Sequence, residues 1–187
     1  MNTKKNFTKS DVKKLYKSQA KKYADYAQDS FSWRYLEKPL IDKLFSKNLK
    51  KSAKILDAGC GTGRLLSYLI KSKVQLKNII GVDFSPEMLS IAKENNPKVK
   101  VIQSDLSLFK STDKYDLIIC THVLHYLNKQ GYKKTLENFY QLLNPGGTIF
   151  IVLTHPFRTV RRNLSQYFKR DWIVDSTPWG TTSPFSL

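Results

Sequence analysis

The chain has 187 residues, 41% of them hydrophobic, with 32 Lys+Arg against 15 Asp+Glu and a formal net charge of +17. That length holds one domain with a real core rather than two, and the longest apolar bursts, such as "TIFIVL", fall far short of the roughly 20 residues that span a bilayer. The two cysteines, Cys60 and Cys120, argue against a disulfide framework and for a reducing cytoplasm, and no apolar segment follows the cationic N-terminus as a secretory signal would require. The lysines are spread along the chain, without an Arg-rich block or a string of interleaved aromatics. A solvated basic surface therefore accounts for them better than a nucleic-acid interface, which stays as the alternative.

The first fifty residues read as helical. In "SDVKKLYKSQAKKYADYAQ" the apolar positions Val12, Leu15, Tyr16, Tyr23 and Tyr26 fall near helical spacing, with Ser10 as N-cap. A second helix is expected in "YLEKPLIDKLFSKNL", with Pro39 near its start. From Lys54 the pattern alternates: strand "AKILDAG", helix "GRLLSYLIKS", strand "NIIGVDF", helix "SPEMLSIAKENN" capped by Ser85 with Pro86 in its first turn, strand "KVKVIQSDL", strand "YDLIICTH". A helix "GYKKTLENFYQLL", stopped by Asn144-Pro145-Gly146, and a strand "TIFIVLTH" follow. Apolar strands separated by helices call for a doubly wound, mainly parallel α/β sheet. Beyond it, "RTVRRNLSQYF" could form a helix and "DSTPWGTTSPFSL" carries no clear signal.

In such a sheet, ligands sit at the carboxyl ends of the strands where the strand order reverses. The first strand ends in Asp57-Ala58-Gly59-Cys60-Gly61-Thr62-Gly63, a turn whose glycines let backbone approach a ligand closely at a helix N-terminus. The second ends in Asp83, twenty residues after Gly63, where a carboxylate can accept hydrogen bonds from ribose hydroxyls, and the third ends in Asp105. Each piece alone is weak, whereas the ordered series is strong. No Gly-Lys-Ser/Thr is present, so a P-loop is excluded, and acids without a basic residue in the loop disfavour a phosphate-rich ligand.

Together "ILDAGCGTGRLL", "IIGVDFSPEML", "VIQSDLSLF", "YDLIICTHVLHYL" and "LLNPGGTIFIVL" resemble, in order and spacing, the class I S-adenosylmethionine (SAM)-dependent methyltransferases over about Trp33 to Pro156. The resemblance implies a Rossmann-like sheet of seven strands with a reversed final hairpin. Because the chain ends soon after Trp179-Gly180, that hairpin is expected to be missing, as in a fragment or shortened variant. It further implies that Gly59, Cys60, Gly61 and Gly63, with Asp57 beside them, wrap the methionine part of SAM. Asp83 would take the ribose, Phe84 and Met88 the adenine faces, Asp105 and the Leu106 N–H the adenine edge, and Thr121 would lie near the sulfonium. By the same likeness residues 1–50 form a helical lid in which Tyr16, Tyr23 and Trp33 close over the ligand, residues 51–155 the SAM-binding core, and residues 156–187 an incomplete substrate-side segment.

Methyl transfer from a sulfonium needs positioning more than activation, and a general base only where the acceptor must lose a proton. His122 and His125 are the candidates for that base, although packing is the simpler role for His125. No metal site is expected, because no third ligand accompanies them. Cys60 and Cys120 sit on neighbouring strands and read as small buried hydrophobes before a redox pair. The function expected is SAM-dependent methylation of a small molecule. The alternatives are an RNA-directed methyltransferase, an inactive SAM-binding remnant, and an NAD-type dehydrogenase, the last disfavoured because Arg64 stands where its pattern needs glycine.

Overall fold

The structure is a computed structural model that describes residues 9–46, 50–72, 74–155, 173–176 and 182–185. Strands β1 (Ile55–Ala58), β2 (Ile79–Asp83), β3 (Lys100–Gln103), β4 (Tyr115–Thr121) and β5 (Leu143–Val152) form one sheet in the order β3-β2-β1-β4-β5. Every pairing is parallel, with Ile55 opposite both Ile79 and Leu117. The order reverses between β1 and β4, which opens a crevice above their carboxyl ends.

Period-two alternation divides the strand residues between two cores. Ile55, Ile79, Leu117 and Ile119 face a layer that includes Ile41, Leu66, Leu69 and Leu89, from α2 (Lys38–Ser46), α3 (Arg64–Ile70) and α4 (Pro86–Asn95). Leu56, Ile80, Val82 and Ile118 face Phe139 and Leu142 of α5 (Lys129–Leu142). Burying each such side chain on both faces of a parallel sheet contributes roughly 1.5–3 kcal/mol, which is why these strands read as unbroken apolar runs. Two caps fix where the helices begin. Ser85 Oγ accepts from the Met88 N–H at the start of α4, and Asn128 Oδ1 accepts from the Gly131 N–H at the start of α5.

Several local expectations need correction. Helix α1 (Lys9–Gln28) is already formed at Lys9, so Ser10 lies inside it and is not its N-cap. The second helical segment holds a π-turn at Trp33–Glu37, where the Lys38 N–H bonds the Trp33 carbonyl. Pro39 follows directly, and the widened turn sits where its missing N–H and its ring would disturb an α ladder. Asn144-Pro145-Gly146-Gly147 is not a separate turn: β5 begins at Leu143, a register shift lies opposite Tyr115–Leu117, and Gly146 takes a φ of 77°. The stretch "DSTPWGTTSPFSL", read as carrying no signal, holds the last two residues of β6 (Ile173–Ser176) and all of β7 (Thr182–Phe185), the two strands paired antiparallel in a ribbon of their own. The helix expected in "RTVRRNLSQYF" lies outside the described residues. Among the described residues no helix is long and apolar enough to cross a membrane.

Candidate functional site

A cleft of about 790 Å³, counted to its open mouth, sits at the reversal of strand order. Each of the first four strands sends residues to it: Gly59 and Gly61 after β1, Asp83 and Phe84 from β2, Ser104 and Asp105 after β3, Thr121 and His122 from β4. Met88 and Leu106 complete the floor, and Tyr16 and Tyr23 reach in from α1. On a chain of net charge +17, the lining contains acids and, among the described residues, no Lys or Arg. Such a cleft favours a cation over a polyphosphate.

The glycine loop is held by β2. The N–H groups of Gly59 and Cys60 both donate to the Val82 carbonyl, at 2.7 and 3.0 Å. Asp83 Oδ2 accepts from the Gly61 N–H and Oδ1 from the Ser85 N–H, each at 2.9 Å. Burial pushes the Asp83 carboxyl up, against the opposing pull of those backbone donors. Asp57 lies beneath the loop and does not line the cleft. It is 2% exposed, and its Oδ2 is buried with no hydrogen-bond partner. Burial raises its carboxyl to about 8, Arg64 working in the opposite direction and Asp83 in the same one. Asp105 lines the cleft while its Oδ1 accepts from the Ser107 N–H and Oγ, so ligand-facing and turn-forming roles coexist at one residue.

The glycines differ in what surrounds them. A Cβ on Gly59 would come within 2.1 Å of Val123 Cγ2, and one on Gly63 within 2.5 Å of Asn96 Nδ2, whereas one on Gly61 would meet only Tyr23 at 3.7 Å. Gly63 and Cys60 stand outside the cleft: Gly63 packs on α4, and the Cys60 thiol is buried on the α3 face of the sheet. Cys120 belongs to the opposite face, both thiols are free, and burial pushes both well above the ordinary thiol range. The geometry is that of inert core side chains rather than a redox pair.

Trp33 also lies outside the cleft. Its ring is buried beneath the Arg64 guanidinium, 4.5 Å from the centroid, and meets Tyr68 edge-on at 5.7 Å. The cation over this ring is thus a side chain of the protein. Tyr126 takes up the aromatic role that Trp33 leaves: it lines the cleft and meets Tyr16 edge-on, while Tyr16 meets Tyr23 in the same way. Burial pushes the Tyr23 hydroxyl up to about 12. His125 sits in the short 3-10 turn Leu124–Tyr126, its ring tilted against Tyr126 with centroids 4.4 Å apart, and away from the cleft lining.

His122 does line the cleft, and it has a partner that the sequence did not reveal. Its Nε2 lies 3.0 Å from Glu37 Oε1, across 85 residues of chain. Glu37 is 1% exposed and also accepts from Ser32 Oγ at 2.7 Å and from Arg64 at 2.7 Å. Burial works to raise its carboxyl, but the His122 hydrogen bond and the Arg64 charge together hold it below the usual range. Among the described residues no group of three or more His, Cys, Asp or Glu is arranged to hold a metal ion.

Residues 55–147 match the family described as "Methyltransferase domain". The chain belongs to the class I S-adenosylmethionine-dependent methyltransferases. It is 32% identical to malonyl-[acyl-carrier protein] O-methyltransferase 1 of Ilyobacter polytropus over 75% of this chain and 51% of that protein. It is 28% identical to trans-aconitate 2-methyltransferase of Azoarcus sp. over 70% of this chain and 51% of that one. The crystal structure of a TehB-like SAM-dependent methyltransferase from Corynebacterium glutamicum superposes with a TM-score of 0.58 at 29% identity, covering 75% of this chain and 71% of that one. The chain spans about half the length of the curated relatives it matches.

Proposed function

We propose that this domain binds SAM in the acid-lined cleft and transfers its methyl group to a small-molecule acceptor. The observation that carries the reading is the cleft's chemistry: a glycine loop, Asp83 and Asp105 at successive strand ends, and, among the described residues, a lining without Lys or Arg on a strongly basic chain. The residues present fit the ligand. Gly61 leaves room that a Cβ would fill, and Asp83 can accept ribose hydroxyls beside its backbone donors. SAM supplies a methyl group already activated by positive sulfur. The protein's share is to hold the adenosine between Phe84, Met88 and Leu106, to keep Thr121 and His122 at the methyl side, and to shed water beneath the tyrosines of α1.

In this reading residues 1–50 act as a lid over a core of residues 51–155, with 156–187 on the acceptor side. The buried free thiols support a reducing, cytoplasmic setting. Thermal unfolding with S-adenosylhomocysteine (SAH) tests the proposal. At a hundredfold excess over Kd the ligand adds about 2.7 kcal/mol, which raises Tm by roughly 5–10 °C for a chain of this size. Asp83→Ala is expected to abolish that shift, and a wild-type protein whose Tm ignores SAH would sink the reading.

A further inference from the structure

Glu37 is the most completely fixed charged side chain beside the cleft. Oε1 accepts from Ser32 Oγ and meets His122 Nε2, while Oε2 accepts from Arg64. Arg64 is held in turn by the Ala27 carbonyl, by Ser30 Oγ and by the face of Trp33, so neither partner can swing away alone. His122 is equally constrained from its backbone. It has a φ of 58°, a left-handed conformation no other non-glycine among the described residues adopts, and its N–H donates to the Val152 carbonyl at 2.9 Å. Strain of this kind costs roughly 1–3 kcal/mol and persists where surrounding contacts over-determine it.

A carboxylate that accepts from Nε2 selects the ring tautomer: the proton sits on Nε2, and Nδ1 keeps the lone pair. We propose that Glu37 and His122 form a carboxylate–imidazole dyad that removes the proton from an O–H acceptor, so that the methyl acceptor is an alcohol or phenol rather than a carboxylate. The inference rests on the methyltransferase reading and deepens it. A carboxylate substrate, such as trans-aconitate, has already lost its proton at neutral pH, because such groups titrate near pH ~4. A hydroxyl has not. The acceptor oxygen forms its bond to the methyl carbon as the sulfur–carbon bond breaks and its electron pair returns to sulfur. The hydroxyl proton passes to Nδ1, and the imidazolium so formed is stabilised by Glu37 before it releases the proton to water. His122 is the catalytic residue and Glu37 the positioning one. The other titratable or charged groups around the pair are Arg64, His125 at 6.4 Å ring to ring, and the cleft residues Tyr23, Tyr126, Asp83 and Asp105.

Long-range proton–nitrogen NMR of the histidine-labelled full chain with SAH tests this, His122 being assigned by its loss in His122→Asn. The wild-type ring is expected to carry its proton on Nε2 at neutral pH, and Glu37→Gln to lose that preference. A wild-type ring protonated on Nδ1, alone or together with Nε2, overturns the dyad, and this wild-type result requires no variant to fold. Turnover with SAM is then followed on catechol, phenol and trans-aconitate. Methylation of a hydroxyl probe should fall about 100-fold in His122→Asn and in Glu37→Gln, with no further loss in the double variant, each read at saturating SAM. Glu37→Asp should recover part of the loss. Methylation of trans-aconitate alone, or of no hydroxyl probe by protein that binds SAH, overturns the acceptor assignment. Failure to bind SAH at all overturns the methyltransferase reading itself.

Discussion

Alanine at Gly61 and at Gly63 should separate ligand binding from folding. Both glycines have positive φ, 52° and 83°, so either substitution strains the backbone by about 1 kcal/mol or more. At Gly61 little is added, because the new Cβ meets only the Tyr23 ring at 3.7 Å. A Tm loss of roughly 2–4 °C follows. At Gly63 the Cβ would stand 2.5 Å from Asn96 Nδ2 and 3.1 Å from Ala92 Cα. Asn96 would have to leave its bonds to the Gly63 and Ala92 carbonyls and to Ser67 Oγ, which brings the total to about 2–4 kcal/mol and the Tm loss to two- to fourfold that of Gly61→Ala. Binding should run the other way. The Gly61 Cβ intrudes on the cleft wall and is expected to weaken SAH by at least tenfold, about 1.4 kcal/mol, whereas folded Gly63→Ala keeps most of its affinity. Thermal unfolding and calorimetric titration of the two variants give both numbers. If Gly61→Ala binds SAH normally, or unfolds as early as Gly63→Ala, the assignment of Gly61 to the ligand and Gly63 to packing is wrong.

Other outcomes follow from the same geometry. Asp83→Ala should abolish SAH binding and also loosen the glycine loop, because it removes the acceptor of the Gly61 and Ser85 N–H groups; amide exchange at those two residues should quicken. Asp57 binds its proton more tightly folded than unfolded, so the stability it contributes is fully present below about pH 4 and is lost as pH rises toward about 8. Unfolding in urea at several pH values should show a decline on the order of 5 kcal/mol over that window that Asp57→Asn removes, and an unchanged pH slope in the variant would contradict it. Cys60 and Cys120, buried with raised thiols, should resist an alkylating reagent in the native state and react promptly in denaturant; mass spectrometry of the native protein showing ready labelling would refute this.

The sheet was legible because its signals are local. Period-two apolar runs, the Ser85-Pro86 start of α4 and the acids at the ends of β2 and β3 each occupy a few adjacent residues, and the structure gathers those acids around one cleft. What stayed hidden depends on distance or direction. Glu37 lies 85 residues from His122, and nothing in "WRYLEKP" marks its carboxylate as buried under Arg64. Trp33 has helical spacing but turns inward at a π-turn, which periodicity of 3.6 does not anticipate. Tyr126 belongs to "THVLHYL", yet only the 3-10 turn there decides that the tyrosine, and not His125, reaches the cleft. Among the described residues strands β6 and β7 pair with each other and with no other strand, in a segment whose Pro, Gly and Thr content reads as loop.

The most direct test of the central claim is calorimetric titration of the 187-residue chain with SAM, SAH and NAD. The account predicts one-to-one binding of SAM and SAH, lost in Asp83→Ala, and no heat from NAD, whose pyrophosphate finds no Lys or Arg among the described residues of the cleft lining. Binding of NAD, or folded protein that binds neither sulfur ligand, would contradict it.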